Sequence, residues 1–406
     1  MIQGARKGLV LAVALALCLA AAACSSSSSS STSSATSSPT SSPVSVSISI
    51  TSFNRTFSAM TALKALDAAG KGSVAAILPD TVTSERYTEF DAPYLEQAFA
   101  LAGLSPSQYS VVNAQGSDAT ELSDAQEAIT KGASVLIMDP LDSGVGASIE
   151  SYAKAHGVKV IDYDRLTLGG SRAYYVSFNN TYVGTLLGKG LVSCISAWHV
   201  AKPQVLVMRG APTDNNATQF ANGYDAVLAP YFANKTYTLV GTPAGTWDPP
   251  TAESEFQQAY TAHKNINALL APNDENAAPI ITYLQREGVK AMTFPVTGQD
   301  ATLVGLQNIL AGYQCGTVYK PIYIEAQAAV ALAMFLRAGQ TPPSALVNGS
   351  VTDTSTGTKV PSVLGTPEWV TPANMNSTVI ADNFVPAQQL CVGSYAAACK
   401  AAGISV

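Results

Sequence analysis

Charged residues and histidines are both scarce in this chain of 406 residues, and each scarcity excludes a class of function. Only 12% of the residues are charged, and 28 acidic side chains outnumber 22 basic ones, so the chain lacks the basic face that nucleic-acid binding requires. The three histidines, His156, His199 and His263, are far apart, and none has the ligand spacing of a zinc site. We therefore expect no nucleic-acid partner and no metal.

Phosphate loops and hydrolase motifs are also missing. The sequence has no G-x-x-x-x-G-K-[ST] loop, no G-x-G-x-x-G motif after a strand and no G-x-S-x-G elbow. We expect no nucleotide and no other cofactor. No long apolar run follows the N-terminal one, so the body of the chain carries no predicted membrane span.

The N-terminus has the pattern of an export signal. Two basic residues precede an apolar run at 9–19, which is shorter than the ~20 residues of a membrane span and ends in small residues. Cys24 follows three alanines and resembles the lipobox cysteine of bacterial lipoproteins; an ordinary secretory signal is the alternative. We predict a signal peptide at 1–23, a lipid anchor on Cys24 that holds the protein at the outer face of the cell membrane, and a flexible Ser-rich tether at 24–50.

Four cysteines remain in the predicted mature body. Export places them in an oxidising compartment, where an even number favours disulfides. Cys391 and Cys399 flank a short C-terminal segment and are expected to pair, which leaves Cys194 for Cys315. Four reduced, buried thiols are the alternative, and four cysteines permit three connectivities.

Apolar runs alternate with helical stretches from residue 73 onward, and this alternation occurs twice in series. Near-continuous apolar strands separated by helices predict parallel sheets covered on both faces, so we predict an α/β fold of two similar lobes. An apolar helix within 317–337 is predicted to cross back to the first lobe. The predicted strands are 74–78, 109–113, 135–138 and 158–161 in the first half, and 205–208, 237–240, 268–270 and 294–296 in the second.

Polar and aromatic side chains follow these strands. Ligands of open parallel sheets bind beyond the carboxyl ends of the strands. Carboxylate, amide and basic groups there suit a polyhydroxylated ligand, because each hydroxyl both donates and accepts a hydrogen bond, and the C–H face of a sugar stacks on an aromatic ring. Taken singly, an Asp, Asn or Arg at a strand end is more often a helix cap or part of a surface ion pair than a ligand contact, and core packing is the alternative for Trp247.

Eight segments, in order and spacing, resemble the type I periplasmic binding proteins, and within them the D-xylose-binding proteins of bacterial ABC importers. The resemblance covers about 73–384. The segments are Glu85-Arg86-Tyr87, Tyr163-Asp164-Arg165, 176–180, 214–217, Asn273-Asp274, 298–301, 317–321 and 359–362.

The resemblance implies a set of ligand-binding residues. Asp164 and Asp214 would contact the sugar or orient the basic residues, Trp247 would stack on the sugar ring, and Tyr87 stands where a second tryptophan is usual. Asn180, with Asn179, is expected in the hinge rather than in the site. The remaining implied sugar contacts are Arg86, Arg165, Asn216, Asn273, Asp300 and Lys320.

The resemblance also implies the architecture: two Rossmann-like lobes with parallel sheets, joined by a multi-strand hinge. The expected boundaries are 73–178 plus 317–345 for the N-terminal lobe and 179–316 plus 346–384 for the C-terminal lobe, followed by a disulfide-closed tail at 385–406.

The implied function is that of a monomeric receptor that closes on one monosaccharide, with D-xylose favoured, and delivers it to an ABC permease without reaction. One alternative is a receptor for another aldose (glucose, galactose or arabinose) that serves chemotaxis or a sensor kinase. A secreted glycosidase is a further alternative, with Asp164 and Asp300 as its carboxylates. The arginines and lysine nearby argue against it, because they hold both carboxylates ionised where a general acid needs a raised pKa.

Overall fold

The computed structural model describes residues 45–405. Turns of 3-10 helix lie at Ile50–Ser52, Ser58–Leu63 and Gly393–Tyr395, and turns of π-helix lie at Tyr87–Asp91 and Asn376–Ile380. The strands are β1 (Ser73–Leu78), β2 (Tyr109–Asn113), β3 (Ala133–Met138), β4 (Lys159–Tyr163), β5 (Tyr174–Phe178), β6 (Gln204–Val207), β7 (Thr238–Gly241), β8 (Ala268–Leu270), β9 (Thr317–Tyr319), β10 (Gly349–Thr352), β11 (Lys359–Gly365) and β12 (Glu368–Val370). The helices are α1 (Lys64–Asp67), α2 (Ala92–Leu101), α3 (Asp118–Thr130), α4 (Ser143–Ala155), α5 (Asn180–Ala197), α6 (Asn215–Ala233), α7 (Pro249–Ala262), α8 (Asp274–Arg286), α9 (Leu303–Leu310), α10 (Ile322–Arg337), α11 (Ala387–Leu390) and α12 (Ala396–Ala401).

The first lobe is built on a seven-stranded sheet of order β10-β11-β5-β4-β3-β1-β2, parallel except for the edge strand β10. Its central strands carry apolar side chains on both faces because helices cover both faces of the sheet. In β1, Val74 and Ala76 face a core shared with α2 and α10, whereas Ala75 and Ile77 face the core under α3 and α4. This two-sided burial confirms the parallel sheet predicted from continuous apolar runs.

The second lobe repeats the design on a smaller scale. Strands β7, β6 and β8 are parallel, and the loop after α8 adds a bridge between Leu269 and Val296, where we predicted a strand at 294–296. A bridge between Gln299 and Val318 continues towards β9, which pairs antiparallel with β12. Helices α5 and α6 cover one face, and α7 and α8 the other.

Within residues 45–405 the chain passes between the lobes three times, and each passage is short. Asn179 links β5 to α5, Lys320 and Pro321 link β9 to α10, and two residues, 366–367, link β11 to β12. The first and third passages touch, because the backbone N–H of Asn179 donates to the carbonyl of Gly365 at 3.1 Å. The two-lobed type I architecture with a multi-strand hinge is therefore confirmed.

Two expectations about segment placement are wrong. Strands β10 and β11 join the first sheet, so the stretch 346–365 belongs to the first lobe rather than the second. The tether ends earlier than residue 50, because Ile48 is 3% exposed and packs with Val46 and Ile50 on the first-lobe core. Residue 24 and the rest of 1–44, where the signal peptide, the lipid anchor and most of the tether are predicted, lie outside the described residues.

Two disulfide bonds link the four cysteines of the body. Cys391 is bonded to Cys399, with Cα atoms 5.7 Å apart, and Cys194 of α5 is bonded to Cys315 just before β9, with Cα atoms 6.0 Å apart. Both pairs match the expected connectivity. Within residues 45–405, no helix combines the length and the apolar character needed to cross a membrane.

Candidate functional site

A cavity lined mostly by polar side chains lies where the two lobes face each other, at the carboxyl ends of the strands. All ten ligand-binding residues predicted from the sequence line it, so the structure brings them together from both lobes and from the hinge. Four more lining residues were not predicted. The wall is formed by Thr83, Ser84, Arg86, Tyr87, Asp164, Arg165, Asp214, Asn216, Phe220, Trp247, Asn273, Gln299, Asp300 and Lys320.

Arg86 is held in a cage of three buried carboxylates. Its Nε and Nη2 donate to Asp91 at 2.8 and 2.9 Å, Nη2 also donates to Glu325 at 2.8 Å, and Nη1 donates to Asp164 at 2.8 Å. These bonds occupy four of the five guanidinium hydrogens. One N–H of Nη1 is left to donate into the cavity.

The cage fixes the charge of its members. Burial alone opposes ionisation of Asp164, but the positive charges of Arg86, Lys320 and Arg165 outweigh it and hold the pKa of Asp164 below its usual value. Burial dominates at Glu325 and raises its pKa to about 8, although Arg86 acts in the opposite direction. Asp164 is thus an acceptor at neutral pH, and Glu325 takes up a proton more readily than an ordinary glutamate.

Tyr87 departs from the tryptophan expected at its position and makes a contact that tryptophan lacks. Its hydroxyl accepts a hydrogen bond from Arg165 Nη2 at 2.8 Å, and the guanidinium carbons of Arg86 and Arg165 each lie 5.6 Å from its ring centroid. Arg165 is further anchored by the carbonyl of Pro140 at 3.3 Å and by the carboxylate of Asp214 at 3.4 Å. Arg165 therefore serves more to fix the wall than to reach freely into the cavity.

On the second lobe, Asp214 orients two other residues. One carboxylate oxygen caps α6 by accepting from the backbone N–H of Asn216 at 2.8 Å, and the other accepts from Trp247 Nε1 at 3.0 Å. The indole lies against Gly210, where a β-carbon would overlap the ring. Trp247 therefore presents a fixed, half-buried ring to the cavity.

Asn216 ties the second lobe to the hinge. Its Nδ2 donates to the carbonyl of Asp164 at 2.9 Å, and its Oδ1 accepts from Asn180 Nδ2 at 2.9 Å and from the Tyr175 hydroxyl at 3.2 Å. One Nδ2 hydrogen remains for a ligand. Asn180 lies at the first passage between the lobes, which agrees with the hinge position expected for it, and Asn179 caps α5.

The remaining wall residues have spare hydrogen-bonding capacity. Asn273 caps α8 through Oδ1, which accepts from Asn276 N at 3.1 Å, and its Nδ2 has no hydrogen-bond partner among residues 45–405. Lys320 lies 3.0 Å from Asp300, and although burial opposes its charge, Asp300 and Asp164 raise the pKa of Lys320. The cavity wall thus includes a paired ammonium and carboxylate and an amide N–H.

Strained backbone carries two of these carboxylates. Asp164, Asp300 and Ala301 have φ values of 55°, 87° and 51°, in the left-handed region that side chains other than glycine rarely adopt. Each such residue costs ~1–3 kcal/mol and tends to occur at ligand sites. The loop at 298–302 is held by buried Asp274, which accepts from Thr302 N at 2.9 Å and Gln314 Nε2 at 2.6 Å.

The lobes also touch beside the cavity. Ser84, in the loop after β1, donates its hydroxyl to Glu275 Oε1 at 2.7 Å, and the backbone N–H of Glu85 reaches the same oxygen at 3.3 Å. Glu275 lies in the first turn of α8, in the second lobe. The structure is therefore that of a form in which the two lobes are in contact.

Sequence reasoning missed four wall residues and the supporting carboxylates. Gln299 stands inside the 298–301 segment, and its Oε1 is buried with no hydrogen-bond partner within 45–405. Phe220 lies one helical turn after Asn216. The other missed residues also lie near predicted ones in the sequence: Thr83 and Ser84 come shortly before Arg86, Asp91 comes five residues after Arg86, and Glu325 comes five after Lys320.

No group of three or more His, Cys, Asp or Glu side chains within the described chain has the arrangement of a metal site. The carboxylates of the cavity are matched instead by guanidinium and ammonium groups.

Comparison with known proteins agrees with this fold. A model of the periplasmic binding protein domain matches residues 74–341. The D-xylose-binding periplasmic protein of Escherichia coli is 36% identical over 277 residues, covering 68% of this chain and 80% of that protein. The multiple sugar-binding periplasmic receptor ChvE of Rhizobium radiobacter is 30% identical over 344 residues, covering 80% and 93%.

Solved structures show the same fold. A carbohydrate transporter solute-binding protein from Chloroflexus aurantiacus, in complex with D-glucose, superposes with a TM-score of 0.69 at 28% identity, covering 78% of this chain and 97% of that one. A solute-binding protein from Clostridium phytofermentans with bound β-D-glucose gives 0.68 at 25% identity, covering 78% and 99%. The chain belongs to the periplasmic binding protein family.

Proposed function

We propose that this protein is an extracytoplasmic receptor of an ABC importer that binds one monosaccharide, D-xylose in first place, between its two lobes. The lipid on Cys24 would hold it at the outer face of the cell membrane, and the receptor would act as a monomer. The family, the names of the relatives and the cavity all support this proposal.

The observation that carries the proposal is the composition of the cavity wall. Three cationic side chains, Arg86, Arg165 and Lys320, are matched by three carboxylates, Asp164, Asp214 and Asp300. A wall whose charges balance suits a neutral ligand with many hydroxyls, because each hydroxyl finds both a donor and an acceptor. The fixed indole of Trp247 offers a face for the apolar side of a sugar ring.

Contacts from both lobes explain how binding would drive closure. Arg86 and Asp164 come from the first lobe, Trp247 and Asn273 from the second, and Lys320 from a passage between them. A ligand that touches all of them binds the closed form better than the open one. The population then shifts towards the closed form by as much as that difference in affinity allows. The closed form is the one that would dock on the permease.

The geometry does not favour a glycosidase. A general acid needs a carboxyl with a raised pKa, whereas Asp164 is bonded to Arg86 and its pKa is lowered. Asp300 is paired with Lys320 at 3.0 Å. Binding without reaction is therefore the proposed activity, in agreement with relatives that are named as binding proteins.

Isothermal titration calorimetry of residues 45–406 with xylose, glucose, galactose, arabinose and ribose tests the proposal. We expect one-to-one binding, with xylose the tightest, and a loss of at least about tenfold in affinity for Asp300→Ala and Trp247→Ala. The matched controls are Asp225→Ala, on the surface, and Trp198→Ala, at the end of α5, which should bind like the wild type. Tighter binding of glucose would reassign the sugar, and no binding of any of the five would overturn the monosaccharide assignment.

A further inference from the structure

The C-terminal segment, residues 375–405, packs on the second lobe. Met375, Val379 and Leu390 form one apolar cluster with Leu306 and Ile309 of α9. The Cys391–Cys399 disulfide closes the end of the segment, and both sulfur-bearing residues lie in the same cluster. The segment is thus a fixed part of the second lobe.

Phe384 of this segment reaches the other lobe. The ring of Phe384 stacks on Phe90, with centroids 3.9 Å apart and planes 9° from parallel. It also packs against Tyr319 of β9, with ring centroids 5.0 Å apart and planes at 64°. Phe384 is 4% exposed, so its ring is sandwiched between a first-lobe and a second-lobe aromatic side chain.

Phe90 belongs to the turn that presents the first-lobe side of the cavity. This π-helical turn, Tyr87–Asp91, begins directly after Arg86, and Tyr87 is its first residue. Asp91, next to Phe90, holds the guanidinium of Arg86 through two bonds and accepts from the Tyr163 hydroxyl. A shift of Phe90 therefore moves the residues that set the position of Arg86.

A second contact pins the segment at the passage between the lobes. Asp382 accepts hydrogen bonds from the hydroxyl of Tyr319, on β9, at 2.9 Å and from that of Tyr323, on α10, at 3.1 Å. These two tyrosines flank the passage that contains Lys320. The position of Phe384, two residues further on, is thus fixed relative to the hinge.

We propose that Phe384 is a positioning residue for the ligand site: by stacking on Phe90 it holds the Arg86–Asp91 turn against the cavity and favours contact between the lobes. This inference rests on the proposed function, since it assigns Phe384 a part in binding the sugar. A loss of the stack should weaken sugar binding although Phe384 is not in the cavity wall.

The test compares Phe384→Ala and Phe384→Leu with Leu390→Ala. Leu390 is fully buried in the same cluster, so Leu390→Ala removes packing of the segment on α9 but leaves the stack with Phe90. Phe384→Leu keeps an apolar side chain but loses the aromatic stack, so it separates the effect of the stack from that of misfolding. Titration with xylose should show about three- to tenfold weaker binding for Phe384→Ala and Phe384→Leu, and less than twofold weaker binding for Leu390→Ala. Phe384→Tyr keeps an aromatic ring and should retain the wild-type affinity.

Amide hydrogen exchange of the ligand-free protein gives a readout that needs no sugar. The amides of 86–91 should exchange faster in Phe384→Leu than in Leu390→Ala. Equal exchange there, or equal sugar affinity in the Phe384 and Leu390 variants, overturns the positioning role. If the wild type binds no sugar, the proposed function fails, and the exchange of 86–91 alone decides the role of Phe384.

Discussion

Ser84 and Glu275 join the two lobes through a hydrogen bond of 2.7 Å between the serine hydroxyl and Glu275 Oε1. The other carboxylate oxygen, Oε2, is buried with no hydrogen-bond partner among residues 45–405. Burial, with the nearby carboxylates of Asp300 and Asp274, raises the pKa of Glu275 well above its usual value. Asp300 and Asp274 lie on the same lobe as Glu275, whereas Ser84 lies on the other, so contact between the lobes adds to the burial of Glu275.

This relationship predicts that ligand affinity depends on pH. A carboxyl whose pKa is raised in the closed form takes up a proton on closing, so the closed form gains stability at low pH and loses it as pH rises through the raised pKa. We expect xylose to bind several-fold more weakly at pH 8 than at pH 5, as measured by calorimetry. Glu275→Gln should flatten this dependence, whereas exposed Glu287→Gln should not. A steep pH dependence that persists in Glu275→Gln would contradict the assignment.

The carboxylate cage predicts that Arg86 cannot be replaced by lysine. A single ammonium cannot make the bidentate pair with Asp91 and also reach Asp164 and Glu325. Leaving a buried carboxylate unpaired costs ~3–5 kcal/mol, so Arg86→Lys should lower the free energy of unfolding in urea by about that amount and weaken sugar binding at least about tenfold. The control is Arg286→Lys, at an exposed pair with Glu253, which should change neither quantity.

Glu121 predicts a loss of stability at alkaline pH. It is fully buried, and burial raises its pKa to about 8 in spite of the N–H of Leu141 donating to it. Since the folded state binds this proton more tightly than the unfolded state, stability is greatest below the ordinary pKa of 4.5 and falls as pH rises towards 8. Glu121→Gln should raise the free energy of unfolding at pH 8 by about 1 kcal/mol or more and leave it unchanged near pH 4. Urea titrations at both values check this, and an equal effect at pH 4 and pH 8 would show that charge is not the cause.

The two disulfides predict unequal contributions to stability. Cys194 and Cys315 are 121 residues apart, whereas Cys391 and Cys399 are 8 apart. Loop-closure entropy of the unfolded chain then gives about 4.9 kcal/mol for the long loop and about 2.6 kcal/mol for the short one. Cys194→Ser with Cys315→Ser should therefore lower the unfolding free energy more than Cys391→Ser with Cys399→Ser. Equal losses in urea titrations would argue against an entropic origin.

Much of the fold is visible in the sequence because its strands are buried on both faces. Runs such as 74–78 and 205–208 predict buried strands, and the apolar stretch of α10 predicts a helix that returns to the first lobe, as the structure confirms. Such patterns are local, so a single sequence displays them.

Helix α5 was missed for a physical reason. It contains Gly184, Gly188 and Gly190, which lower helix propensity and interrupt its pattern. A β-carbon on Gly184 would overlap the backbone of Phe220, and one on Gly190 would overlap the ring of Trp369. The glycines serve close packing against α6 and β12, which the local sequence does not show. The placement of β11 beside β5 depends in the same way on contacts distant in sequence.

The candidate site likewise has residues that the sequence predicts and residues that only the structure reveals. Residues at strand ends, such as Asp164 and Asp300, fall in recognisable segments, and the structure places them on one cavity wall; their contact with a sugar stays a prediction. The residues that hold them, such as Asp91 and Glu325, lie within a turn and a helix, and only the folded chain brings them to Arg86.

Lys320 stands within one of the passages between the lobes described for residues 45–405, and an axis of relative rotation of the lobes would run close to these passages. Points near a rotation axis move least, so a ligand held by Lys320 would keep that contact while the more distant contacts break. On release, the contacts with the sugar would therefore break in a fixed order. Those far from the hinge would break first, and the contact with Lys320 would break last. On binding, the order of contacts would be reversed, and Lys320 with its partner Asp300 would be the first residues to contact the sugar.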